Sequence, residues 1–134
     1  METTPTSAFL RRVLLADAVS SGLMGLVLAL EAEPIGRLLL LPEPVLRIAG
    51  LALVPFASAV GWLAGRPAPD RAAVWTLIAL NALWAAGSLL ALGIGWLRPN
   101  GLGDAVVIGQ AVFVGLVTGL QLAGLRRPPL WATG

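Results

Sequence analysis

"RRVLLADAVSSGLMGLVLAL", residues 11–30, decides how this chain must fold. Two arginines open it, and the run from Val13 to Leu30 then carries a single charge, Asp17. A helix crossing the hydrocarbon core needs about 20 consecutive apolar residues, so the run predicts a transmembrane helix. A cleavable secretory signal is the competing reading, because the arginine pair precedes the run and Leu30-Glu31-Ala32 is a passable cleavage site. The apolar stretch exceeds the roughly 7–15 residues of a signal core, and an acid inside it is foreign to one. The span reading is preferred.

Three more stretches of this kind follow, at 45–65, 72–96 and 105–125. Each of the four ends at charge or proline: Glu31 to Pro34, Arg66-Pro67, Arg98-Pro99 and Arg126-Arg127-Pro128. Pro55 falls inside the second span and should kink it, freeing a carbonyl one turn earlier. The first connection, "EAEPIGRLLLLPEP" (31–44), holds an apolar segment at 35–41 too short to span. It reads as a brief helix lying in the interface. The expected fold is all-α: a four-helix transmembrane bundle forming one integral membrane domain over 1–134.

Composition agrees. Of 134 residues, 57% are hydrophobic and 12% charged, and the mean hydropathy is +0.87. A water-soluble domain would carry about 25% charged residues. The basic pI near 11.1 does not indicate nucleic acid, because net charge is only +2 and the arginines sit at span ends, not in one patch. Arginine supplies all the basic residues, and with abundant Ala, Leu, Gly and Pro this matches a GC-rich bacterial composition. The expected location is the bacterial inner membrane.

Arginine placement also predicts orientation. Arg11, Arg12, Arg66, Arg71, Arg126 and Arg127 lie on one side, against Arg37, Arg47 and Arg98 on the other. The excess of positive charge marks the cytoplasmic side, which then holds both termini. Trp62, Trp75, Trp96 and Trp131 fall near span ends, as interfacial aromatic belts require, whereas Trp84 does not.

The missing residue types are informative. Cys, His, Lys and Tyr do not occur. No thiol nucleophile, imidazole base, usual haem ligand or retinal Schiff base can therefore be built. No cofactor or metal is expected, and an enzyme is not.

Each span carries small residues four apart, the spacing through which helices approach closely in lipid. The ladders are Ser21, Gly25, Ala29; Ala57, Gly61, Gly65; Gly87, Ala91, Gly95; and Ala111, Gly115, Gly119, Ala123. Gly25, Gly61, Gly65, Gly87, Gly115 and Gly119 are the expected packing positions. Asp17 heads the first ladder and should face the bundle, since a charge facing lipid costs a few kcal/mol. It lies roughly 7 Å along the axis from Arg12. One reading makes it structural, paired with arginine or bonded by Ser20 and Ser21. The other makes it a proton- or cation-binding carboxylate.

The remaining polar candidates are Ser21, Ser58, Asn81, Ser88 and Gln121. Distances to flanking arginines place Gln121 level with Asp17, and Asn81 and Ser58 deeper. Gln110 and Gln121 share a face opposite the fourth ladder, which suggests a surface for a second subunit or membrane partner. A faint repeat aligns "LLADAVSSG" (14–22) with "LIALNALWAAG" (77–87), and "LAGRP" (63–67) with "LAGLRRP" (122–128). Two parallel helical hairpins would follow from a duplication.

At "LLADAVSSGLMG" (14–25) and "NALWAAGSLLALGIGW" (81–96) the chain resembles the small multidrug resistance transporters. That resemblance implies four spans, with Asp17 as the site where proton and cationic substrate compete. The chain departs from the pattern in using Asp where the family has Glu, and in its longer first connection. As a whole it is similar to small four-span bacterial inner-membrane proteins without assigned function. The leading expectation is a non-enzymatic accessory or assembly component of the bilayer. A small proton-coupled transporter or pore, acting as an oligomer, is the alternative.

Overall fold

In the computed structural model, residues 8–67 and 70–126 are described. They form α1 (Ala8–Leu30), α2 (Ala32–Leu39), α3 (Glu43–Ala64), α4 (Arg71–Gly93) and α5 (Gly101–Arg126). Arg127, Pro128 and Trp131, used above for topology, lie outside the described residues.

The four long helices have 23, 22, 23 and 26 residues. At about 1.5 Å per residue, each spans at least the 30 Å hydrocarbon core. Between 17% and 28% of their most apolar windows is buried inside the molecule. The remaining surface is Leu-, Val- and Ile-rich, with Val19, Leu23, Leu83, Ile94 and Leu116 all largely exposed. Water cannot solvate such a surface, and lipid can. The chain is an integral membrane protein built as a four-helix bundle.

Helix boundaries follow local chemistry. α1 begins ahead of the apolar run, so Arg11 and Arg12 lie within its first turns. The interfacial helix also starts earlier than expected, at Ala32. Pro34 falls in its first turn, where no amide donor is required. α2 stops at Leu39, because Leu40 is left-handed (φ 57) and turns the chain toward Pro42. α4 ends at Gly93, three residues short of the expected limit, and Gly95 follows with φ 77. α5 begins early because Asn100 caps it, Oδ1 accepting from Gly103 N at 2.7 Å. α3 continues through Pro55 as one helix.

α1 packs chiefly on α3, and α4 on α5; α1 and α5 join the two hairpins. Close approach of α1 and α3 is permitted by Gly25 and Gly50. A Cβ on Gly50 would fall 2.7 Å from Gly25 O and 2.9 Å from Leu28 C. Gly61 faces Ala18 at ordinary contact distance.

Four expected packing glycines are corrected. Gly87, Gly115 and Gly119 have open space where a Cβ would stand, and Gly65 meets only carbonyls of its own turn. Four-residue spacing finds small residues on one face but cannot say which face turns inward. On α5 the inward face is centred elsewhere, on Val107, Thr118 and Gln121, and of the ladder only Ala111 reaches it.

Two apolar clusters bracket the bundle. Leu10, Leu14, Val60, Leu63, Ala64, Val74, Leu77, Ile78 and Leu125 fill the end where α1 and α4 begin. Ala32, Leu39, Leu41, Leu46 and Val107 pack where α2 sits. The second is latched by Asn100, whose N donates to Leu39 O (3.1 Å) and Nδ2 to Leu38 O (2.8 Å).

Candidate functional site: a buried carboxylate shared by three helices

One turn beyond the first apolar cluster, α1, α4 and α5 each turn a polar side chain inward. Asp17 is 4% exposed, Asn81 5% and Gln121 0%. Gln121 Nε2 donates to Asp17 Oδ2 at 2.7 Å, and Asn81 Nδ2 donates to the same oxygen at 2.9 Å. Asn81 Nδ2 also reaches Gln121 Oε1 at 3.1 Å, closing a triangle. Ser21 Oγ, one turn along α1, donates to Asp17 Oδ1 at 3.0 Å. The carboxylate thus accepts every contact it makes here, and each donor is neutral.

This arrangement corrects three expectations. Arg12 is exposed, and among the described residues the ion pairs are Arg37–Glu33 and Arg47–Glu43, so Asp17 has no arginine partner. Asn81 is not deeper than Asp17 but level with it. Arg71 lies about 15 Å back along α4 and Arg12 about 7 Å back along α1, so α4 starts farther from the cluster. Ser58 does not join the site: it is exposed, and its Oγ returns to Val54 O at 2.9 Å.

Ser88 also bonds its own helix, Oγ to Trp84 O at 2.7 Å. Trp84, misplaced for an interfacial belt, is explained by its indole: Nε1 donates to Gln110 Oε1 at 2.8 Å. A Trp at mid-span depth was the available signal for such a partner. Gln110 and Gln121 are therefore both engaged inside the bundle. The α5 surface that faces outward is the glycine-bearing one. Asn100, unmarked in the sequence reading, had its signal in the Asn that precedes a new apolar run.

Asp17 and Asn81 occupy equivalent places in the two halves of the faint repeat, and they meet each other. The apolar cluster of Leu10, Leu14, Val74, Leu77, Ile78 and Leu125 closes the site toward the end bearing Arg11, Arg12 and Arg126. Ser20 adds nothing to the carboxylate, since its Oγ bonds the Ala16 and Asp17 carbonyls. Among the described residues, no three His, Cys, Asp or Glu side chains gather as a metal site. Comparison with family models, curated proteins and solved structures finds no match to this chain.

Proposed function

We propose that this protein is a non-enzymatic accessory or assembly component of a bacterial inner membrane, with both termini cytoplasmic. One observation carries the reading: the polar side chains within the spans are spent on the chain itself. Asp17, Asn81, Gln121 and Ser21 bond one another, and Trp84 bonds Gln110. Ser20, Ser58, Thr76, Ser88 and Thr118 return to carbonyls of their own helices. With the polar side chains of the described spans engaged in this way, the reading is that the protein acts through its outer surface. The partner surface is the outer face of α5 at Gly115 and Gly119, where open space admits a close helix. Cross-linking from Gly119→Cys in native membranes should capture a second membrane protein or a second copy. Monomer alone, under mild detergent and in membranes, would end this reading.

A proton-coupled transporter remains the second reading, favoured by one feature. Asp17 is a buried carboxylate that no cation neutralises among the described residues. Intramembrane acids of that kind mark proton or cation pathways. Asp17→Asn in reconstituted vesicles decides between them. A stable variant that loses a pH-driven flux present in the parent supports transport, and unchanged behaviour supports the structural role.

A further inference from the structure

At the opposite end of the molecule from the Arg11 and Arg12 pair, a shallow groove runs beside α2. Its walls are Glu33, Gly36, Arg37, Leu40, Leu41, Pro42, Glu43 and Arg98. We propose that this groove seats the headgroup of a membrane phospholipid bearing phosphoethanolamine. The inference is independent of the role given to Asp17 or to α5.

Charge complementarity carries it. Two guanidiniums and two carboxylates line the groove, so its formal charge is zero with both signs present. A headgroup with one phosphate and one ammonium matches that pattern, and a purely anionic one does not. Arg37 and Arg98 face the phosphate; Glu33 and Glu43 accept from the ammonium. Glu43 Oε1 already accepts from Arg47 Nη2 at 2.9 Å, a partly exposed pair whose carboxylate the ammonium shares, and the other groups are held more loosely. Arg37 Nη2 stands 3.7 Å from Glu33 Oε1, with both side chains well over half exposed. Arg98 has no carboxylate partner among the described residues; its Nε donates to Gly95 O at 3.1 Å.

Position supports the same occupant. The groove takes in Glu43, the first residue of α3, at the end of the spans where they meet the headgroup layer. Leu38 and Leu40, 63% and 60% exposed, offer apolar surface beside it. The groove is also preformed. Leu41 N donates to Gly36 O at 3.0 Å, and Asn100 holds the carbonyls of Leu38 and Leu39. A rigid seat spares the ordering cost of binding.

The test uses full-length protein in vesicles holding equal phosphatidylethanolamine, phosphatidylcholine and phosphatidylglycerol, followed by native mass spectrometry of retained lipid. Phosphatidylethanolamine should be retained about fivefold over phosphatidylcholine, whose quaternary amine has no N–H to donate. Arg98→Gln, and separately Arg37→Gln, should lower retention of both. Glu33→Gln and Glu43→Gln combined should erase only the preference between them. Equal retention of the two lipids by the parent, a preference for phosphatidylglycerol, or arginine variants that retain lipid like the parent would each overturn the proposal.

Discussion

Replacing Gly50 with alanine tests how far the α1–α3 contact governs stability. The new Cβ would sit 2.7 Å from Gly25 O, against at least 3.4 Å for ordinary contact, a shortfall of about 0.7 Å. The obstructing atoms, including Ala29 N and Leu28 C, are all backbone, so no side chain can turn aside. Either the helices separate along their whole contact or the clash is kept. Overpacking of this sort costs about 1–3 kcal/mol, and a rigid backbone wall argues for the upper part of that range. Removing a mid-helix glycine returns at most about 1 kcal/mol. The expected net loss is about 2 kcal/mol.

Thermal unfolding in mild detergent provides the assay, with graded controls from the same structure. Gly25→Ala meets Leu53 Cβ at 2.9 Å, Gly50 O at 3.0 Å and Val54 Cγ2 at 3.2 Å; only the last can rotate away, so it should also destabilise, but by less than Gly50→Ala because its contacts are longer. Gly61→Ala meets Ala18 Cβ at 3.6 Å, and Gly115→Ala meets nothing within 4 Å. Both should equal or exceed the parent. A Gly50→Ala protein as stable as Gly115→Ala would refute the contact itself.

Asp17→Ala should destabilise by about 1–3 kcal/mol, because two buried amides lose their acceptor, and the same unfolding assay reads it. Asp17→Asn should cost under about 1 kcal/mol, since its oxygen can serve Asn81 and Gln121 while the Ser21 hydroxyl turns to accept. Trp84→Phe keeps the ring but orphans Gln110 Oε1, and should cost about 1 kcal/mol in that assay. Asn100→Ala frees the Leu38 carbonyl and uncaps α5 while keeping the backbone bond to Leu39 O; hydrogen exchange should rise in α2 and the α4–α5 connection while α1 stays protected. Reporter fusions after Arg66 and Arg98 should report cytoplasm and periplasm respectively, and the reverse result would invert the proposed orientation.

The spans were legible because membrane helices are specified by length and hydropathy, and proline, glycine and arginine punctuate their ends. Which face of each helix turns inward was far less legible. In a soluble helix the polar stripe answers that question, but here nearly every face is apolar. Only a polar residue that must be hidden breaks the degeneracy. Asp17 did so on α1, and Asn81 and Gln121 were then natural partners, although their common level could not be read from the distance to an arginine. Gly50 carries no such signal because the next small residue on its face stands seven residues away, at Ala57, and not four. On α5 the glycines and the glutamines competed for the interior. Hydrogen-bond satisfaction settled it: an amide exposed to lipid loses more than a glycine does.

The clasp on Asp17 also constrains the order of events during synthesis. Its donors on α4 and α5 lie 64 and 104 residues farther along the chain. At about 5–20 residues per second, the first arrives roughly 3–13 s after Asp17 has left the ribosome. During that interval Ser21 is the partner already in hand, one turn away on the same helix. The α1–α3 hairpin can close meanwhile, for its glycine contact needs nothing made later. A nascent chain arrested after α3 therefore holds Asp17 against Ser21 alone, and insertion of α4 and α5 brings the two amides that enclose it.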